Sequence, residues 1–303
     1  MEMTKKGEWL EIIIPSEWHN ISIEDVLKDF FQVAKKPLHQ LRMDKGVKIN
    51  DELFPWTKPL SEGEVFQIKL FPTEDYGVVP TEIPLEVLYE DDHLLIVNKQ
   101  AGIDTHPSDG SQSNTLSNAV ANYFQKSNVK TKVRHIHRLD KDTSGAILFA
   151  KHAVSGAILD KMLEQRIIKR TYIALVMGQF NSSKGTIDKP IGKDRHHATR
   201  RRVSPTGQSA KTNYEVLQYD EENNTSLVKL QLETGRTHQI RVHMSHIGHP
   251  LNGDTLYAGK RGNRQALHAA KIEFPHPIGG EKISCIAPFN DKIPLFHFNI
   301  EEI

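Results

Sequence analysis

Three prolines at positions 72, 80 and 84 constrain what this chain can fold into more than any other feature. Each fixes φ and removes a backbone donor, and Thr73-Glu74-Asp75 and Gly77 add turn chemistry between them. Such a stretch suits neither a helix interior nor a central strand. Residues 73–84 therefore read as a linker, which divides the 303 residues into a short unit, 1–72, and a longer one, 85–303.

In the short unit, Ile21 to Ala34 has helical periodicity, with Ser22 or Asn20 as N-cap. A second helix fits Pro37 to Asp44, and Gly46 breaks it. Val47-Lys48-Ile49 and Val65 to Leu70 alternate as strands. In the longer unit, Leu85–Tyr89 and Leu94–Asn98 read as a hairpin around Asp91-Asp92. Helices are predicted over 115–124 and 153–165, and strands over 146–150, 171–176, 212–217 and 227–232. Many strands with few helices between them predict an α+β fold built on a mixed, mostly antiparallel sheet.

The longest apolar runs, Ile12-Ile13-Ile14 and Leu94-Leu95-Ile96-Val97, are far too short to span a bilayer. The first residues are charged and lack the apolar core of a secretory signal. Cys285 is the only cysteine, so no intrachain disulfide can form. These features predict a cytoplasmic protein that does not associate with membranes. A net charge of +1 selects no partner, but its distribution is uneven. Between Lys184 and Lys211, eight basic residues face only Asp188 and Asp194. Arg200, Arg201 and Arg202 form the densest part of this stretch. It is either a polyanion footprint or a solvated loop.

Three segments concentrate reactive side chains. The run His137-Arg138-Leu139-Asp140-Lys141-Asp142-Thr143-Ser144-Gly145 packs two carboxylates, two hydroxyls and three basic or imidazole groups into one polar loop. A hydrogen-bonded turn could use the same residues. A kinase catalytic loop does not fit, because Leu139 interrupts His-Arg-Asp and no glycine-rich phosphate loop accompanies it. The second run is Gly235-Arg236-Thr237-His238-Gln239-Ile240-Arg241-Val242-His243, which opens a helix. His243, His246 and His249 then recur every third residue and could be metal ligands, although no His-Glu-x-x-His motif is present; alternatively Arg236 and His238 line a pocket while the other histidines pack or meet phosphate. The third is Lys169-Arg170-Thr171-Tyr172, where Tyr172 is either a core residue or a surface for a nucleobase.

Together these segments resemble the signatures of the RluA/RluD-type pseudouridine synthases of the ribosomal large subunit. The first two runs carry the likeness, with Gly248-His249-Pro250, Gly253-Asp254, Leu267-His268-Ala269 and His276-Pro277 in the family's order. Asn98-Lys99-Gln100-Ala101-Gly102 and His106-Pro107 resemble its opening segment, with Gln100 where proline is usual. Residues 1–72 resemble the small RNA-binding module shared with a small-subunit ribosomal protein, through Leu38-His39-Gln40-Leu41, Gly46–Asn50 and Leu60–Glu64. Asp51 stands there where glycine is common.

The resemblance implies a pseudouridine synthase fold that isomerises uridine in structured RNA, with Asp140 as catalytic carboxylate. It matches Arg236 to the arginine that pairs with this aspartate, and Tyr172 to the tyrosine that stacks on uracil. Ile240 would supply an apolar wall. His137, Arg138 and Leu139 would fill the gap left by a flipped base or hold its backbone, and Thr143 belongs to the same substrate-binding loop. Arg200, Arg201 and Arg202 would meet phosphate. No cofactor and no metal is implied. The expected partner is RNA, ribosomal rather than transfer RNA, bound by a monomer. The competing readings are a non-catalytic RNA-binding protein on the same scaffold and a histidine-metal hydrolase acting on nucleic acid.

Overall fold

The computed structural model describes residues 2–109 and 112–303. Strands β1 (Met3–Lys6), β2 (Trp9–Ile13), β3 (Val47–Ile49) and β4 (Val65–Lys69) form an antiparallel sheet in the order β1-β2-β4-β3. Two helices pack on it, α1 (Ile23–Asp25) and α2 (Lys35–Met43). Leu10, Ile12, Val47, Phe66 and Ile68 of the strands share a core with Ile23, Leu27, Leu38 and Leu41. Ser22 caps α1 by accepting the Asp25 amide. The helix read over Ile21–Ala34 is shorter than its periodicity. After α1 the chain widens into a π turn over Val26–Phe30, and Gln32 then takes φ +50°. The rings of Phe30, Phe31 and Phe66 all meet the Trp18 ring edge-on, at 5.5, 5.6 and 5.9 Å. The widened turn lets the adjacent Phe30 and Phe31 both reach it.

The second sheet has ten strands: β5 (Glu86–Glu90), β6 (Leu94–Lys99), β7 (Arg134–His135), β8 (Ser144–Ala150), β9 (Lys169–Met177), β10 (Lys184–Asp188), β13 (Lys211–Asp220), β14 (Thr225–Leu232), β15 (Leu267–Pro275) and β16 (Lys282–Ile286). Its main path is β10-β13-β14-β9-β15-β8-β6-β5, with β7 on β8 and β16 on β15. Every pairing is antiparallel except β15 with β8. A separate hairpin joins β11 (Ile191–Lys193) to β12 (Arg201–Val203). The helices are α3 (Leu116–Lys126), α4 (Ala153–Glu164) and α5 (Gln239–His246).

Central strands are buried on both faces. In β6, Leu95 and Val97 enter a core with Phe124, Tyr172, Val228 and Ile240, while Leu94 and Ile96 enter another with Leu159, Ile272 and Phe274. β8 approaches β15 closely where Ala269 opposes Gly145. Gly145 has φ +112°, and a Cβ there would lie 2.3 Å from the Ala269 carbonyl oxygen. Only glycine lets the polar loop before β8 enter the sheet at this point.

Residues 73–84 hold no helix or strand, but they do not hang free. The Glu74 amide donates to the Lys130 carbonyl, the Thr81 amide to that of Asn118, and Asn118 Nδ2 to that of Val79. Glu74 also pairs with Arg134. The core of the first sheet continues into Val154 and Ile158 of α4.

Candidate active site

Asp140 lies in the loop between β7 and β8, and that loop is tied down from several directions. Thr105 Oγ1 donates to the Leu139 carbonyl and accepts the Leu139 amide. The Thr143 amide donates to the Asp140 carbonyl, closing a turn. Thr143 Oγ1 accepts from Gln265, and Arg264 donates to the Asp142 carbonyl and to Ser144 Oγ. Beneath the loop, the fully buried Lys99 sends Nζ to the carbonyls of Gln100, Ile103 and Lys141. Burial pulls the Lys99 ammonium down to about 7, against the charges of Asp142, Asp104 and Asp140. Three acceptors match the three donors of the charged form. Leu139 is buried, so the loop is anchored by an apolar residue beside its carboxylate.

The Asp140 carboxylate opens onto a cavity of about 1140 Å³. Arg241 Nη1 donates to Asp140 Oδ2 at 2.9 Å. The same guanidinium binds Asp254 with two further bonds, Nε to Oδ2 at 2.7 Å and Nη2 to Oδ1 at 2.9 Å. Burial opposes the Arg241 charge, but its hydrogen bonds to Asp254 and the two carboxylate charges outweigh burial and raise its pKa. Asp254 thus fixes the guanidinium plane, and the remaining nitrogen fixes Asp140.

The cation beside Asp140 is Arg241, not Arg236. Arg236 lies in the exposed stretch before α5, where its Nε donates to the Ser209 carbonyl. It lines the same cavity without reaching the carboxylate. Arg241 sits on the buried side of α5 and finds Asp254 there. Gln239 organises the turn between them. Its Oε1 accepts from Thr234 and the Arg236 amide, and its Nε2 donates to the Lys211 carbonyl and Thr212 Oγ1.

His238, at the start of α5, adopts the left-handed conformation with φ +58°, rare for a residue with a Cβ. Its Nε2 lies 3.8 Å from Asp140 Oδ2, and its Nδ1 pairs with the Tyr257 hydroxyl at 2.8 Å. Burial lowers the imidazole pKa, against the pull of Asp140. The Tyr257 hydroxyl also accepts the Arg201 amide, and the Tyr257 ring lies 5.0 Å from the Arg241 guanidinium. A chain of contacts therefore runs from Asp140 to the basic β11–β12 hairpin. His238 and Arg241 both stand in the motif that opens α5, so the sequence points to them together. Asp254 has only the Gly253-Asp254 motif to mark it and Tyr257 has no signal, because their partners lie thirteen and nineteen residues away.

Tyr172 of β9 and Ile240 of α5 are buried and line the same cavity. Burial pushes the Tyr172 phenol up, with the Arg170 charge opposing. Arg138 is exposed on the cavity wall. His137 is buried, accepts the Leu148 amide at Nε2, and keeps a neutral ring because burial holds its pKa well down. Arg200 pairs with Asp194, whereas Arg202 is exposed with no ion pair among the described residues. The three spaced histidines do not converge. His243 binds Thr212 Oγ1 and the Lys189 carbonyl, and His249 binds the Met177 carbonyl and stacks on Phe180. Among the described residues no three histidine, cysteine or acidic side chains gather as metal ligands would, and no helix is long and apolar enough to cross a membrane.

Comparison with known proteins gives the family. The RNA pseudouridylate synthase family matches residues 93–246, and the N-terminal domain of RluD ribosomal pseudouridine synthases matches residues 10–66. A protein of Bacillus subtilis (strain 168) described as an uncharacterized RNA pseudouridine synthase, YhcT, is 47% identical over 289 residues, covering 95% of this chain and 96% of its own. The ribosomal large subunit pseudouridine synthase D of Nitrosomonas europaea is 35% identical over 297 residues, covering 94% and 86%. Among solved structures, human RNA pseudouridylate synthase domain containing 1 superposes with a TM-score of 0.59 at 27% identity, over 69% of this chain and 86% of that one. With two domain matches in order and relatives aligned along nearly its whole length, the chain belongs to the RNA pseudouridylate synthase family, on its RluD-type branch, and is an isomerase that makes pseudouridine in RNA.

Proposed function

We propose that this enzyme modifies a uridine of large-subunit ribosomal RNA in the cytoplasm, acting as a monomer, with Asp140 as its catalytic carboxylate. The observation that carries the chemistry is the Asp140–Arg241–Asp254 array at the wall of the cavity. The target RNA is argued from relatives named ribosomal large subunit pseudouridine synthase D and from the matching N-terminal domain.

The reaction breaks the bond from ribose carbon 1′ to uracil nitrogen 1 and joins carbon 1′ to carbon 5. The proton on carbon 5 leaves, and nitrogen 1 ends protonated, so atoms balance without a cofactor. Asp140 either attacks carbon 1′ or removes the carbon 2′ proton. Both routes need a carboxylate held in one orientation, which Arg241 supplies. The target must leave its stack, at about a few kcal/mol. Tyr172 offers its ring to the detached uracil, and Ile240 closes the apolar side. Arg138 flanks the opening while the buried Leu139 anchors its loop rather than filling the gap of the flipped base, and Arg202 and its neighbours meet phosphate.

The test is tritium release from RNA labelled at uracil carbon 5. Asp140→Asn should fold, bind RNA and release none; clear turnover by the pure variant defeats the assignment. Carbodiimide-blocked reverse transcription of ribosomal RNA from a strain lacking the gene should show one or a few large-subunit pseudouridines missing. An unchanged large-subunit map with a missing transfer-RNA pseudouridine would reassign the substrate.

A further inference from the structure

One part of the cavity is not used by this chemistry. His106 and His135 stack there, with ring centroids 4.9 Å apart and planes inclined by 30°. Both line the cavity and both are half-buried. They come from different places, His106 from the loop after β6 and His135 from β7. The paired bonds between Thr105 and Leu139 clamp the first to the loop that carries Asp140. β7 runs into that loop directly, so both rings are held next to the reacting site.

The pair has no evident structural employment. Among the described residues, neither ring makes a hydrogen bond or an ion pair, although each carries two polar nitrogens. Burial, with the Arg138 charge adding to it, lowers both pKa values, His135 to about 4. Both imidazoles are therefore neutral near pH 7 and make poor phosphate ligands. They are flat, aromatic and stationary, which suits a base face. Arg138, exposed beside them without an ion pair among the described residues, supplies the cation that a base's own phosphate would meet.

We propose that the His106–His135 stack and Arg138 form a second base-binding subsite, which holds a nucleobase flanking the target uridine. The inference rests on the reading of the cavity as the site where RNA is modified, and adds a specificity-determining contact to it. A stacked flanking base would keep the opened strand from closing over the vacated position. It would also favour sequences whose flanking base stacks well.

The experiment uses the full-length protein and a labelled single-stranded RNA with one uridine. Two further RNAs carry an abasic residue immediately 5′ or immediately 3′ of that uridine. Affinity is read by fluorescence anisotropy, so the measurement does not depend on turnover. The wild-type protein should bind one abasic RNA roughly five- to a hundred-fold more weakly than the intact strand. His106→Ala with His135→Ala should bind the intact strand with a similar loss, and should no longer distinguish that abasic RNA from the intact one. His135→Phe keeps a ring face and should retain most of the affinity. Equal losses on all three RNAs would mean a phosphate or folding effect and overturn the subsite. So would wild-type affinity that ignores both abasic positions, or a loss restored by added zinc. If wild-type protein forms no pseudouridine yet shows the flank-specific loss, the functional reading fails and the subsite stands.

Discussion

Arg241 reaches Asp140 with a single nitrogen, 2.9 Å from Oδ2, because its other two hydrogen-bonding nitrogens are committed to Asp254. The carboxylate we propose as catalytic is thus oriented through a guanidinium that a second carboxylate holds in place. Arg241→Lys should therefore lose at least roughly a hundredfold in single-turnover rate, since an ammonium cannot serve both carboxylates in one plane. Asp254→Asn should lose rate as well, while Asp140 is untouched. Arg236→Lys should change rate only several-fold. A larger loss at Arg236 than at Arg241 in the same assay would reverse the assignment.

This pair also marks what the sequence could and could not tell. Most strands were legible, since alternation and turn residues bracket 94–98, 171–176 and 227–232, and β6, β9 and β14 contain those ranges. β8 begins at Ser144, earlier than the apolar run at Ala146, because its first residues pair in parallel with β15 across more than a hundred residues of chain. The π turn after α1 depends on Trp18 and Phe66, outside the helical window. Arg236 and Arg241 stand in one nine-residue run, and only the folded position of Asp254 separates them. Local pattern marked the Asp140 loop and the segment that opens α5, and long-range contacts decided which arginine meets Asp140.

The basic hairpin gives a second expectation. Removing Arg200, Arg201 and Arg202 together should weaken binding to all RNAs and flatten its salt dependence. For unpaired RNA, the log–log slope shrinks by about 0.7 for every phosphate no longer neutralised. Arg200 is already paired with Asp194, so its own share should be the smallest. Arg202→Ala should change the slope more than Arg200→Ala. An unchanged slope for the triple variant would make the hairpin plain surface.

Acid sensitivity should come from a histidine cluster at the edge of the second sheet. His93 Nδ1 and His152 Nε2 share one hydrogen bond at 2.9 Å, and the His276 ring lies 5.3 Å from that of His93. His276 in turn meets Asp91, while Lys5 pairs with Asp92 nearby. Burial pulls His93 from 6.5 to about 4, and pulls the fully buried His152 well below 6.5. A lowered folded pKa means that the unfolded chain binds more protons between those values. Stability should then fall as pH drops from about 6.5 towards 4, by about 3 kcal/mol from His93 alone. Urea midpoints at pH 7 and pH 5 measure it, and His93→Gln should shrink the difference. A midpoint that does not move with pH would contradict neutral rings at His93 and His152.

The last expectation concerns residues 1–72, which we propose to be an addressing unit rather than part of the chemistry. Asp140, Arg241, Asp254, Tyr172 and the His106–His135 pair all follow the proline-bearing segment. The unit nonetheless shares its core with Val154 and Ile158 of α4, and residues 73–84 strap onto Lys130, Asn118 and Arg134. Exposing those two side chains removes about 1.5–3 kcal/mol each. A fragment beginning at Thr81 loses this packing and also the Glu74–Arg134 pair. A fragment beginning at Pro72 keeps the strap, so it should melt several degrees higher than the Thr81 fragment and below the full chain. The buried strands of the second sheet remain in both, so both should fold. Turnover on a short RNA with an accessible uridine should survive in each, whereas preference for the native site in a large structured RNA should fall in each. Circular dichroism and tritium release on the two substrates separate the outcomes. A Pro72 fragment that is folded yet inert on the short RNA would place residues 1–72 within the catalytic machinery.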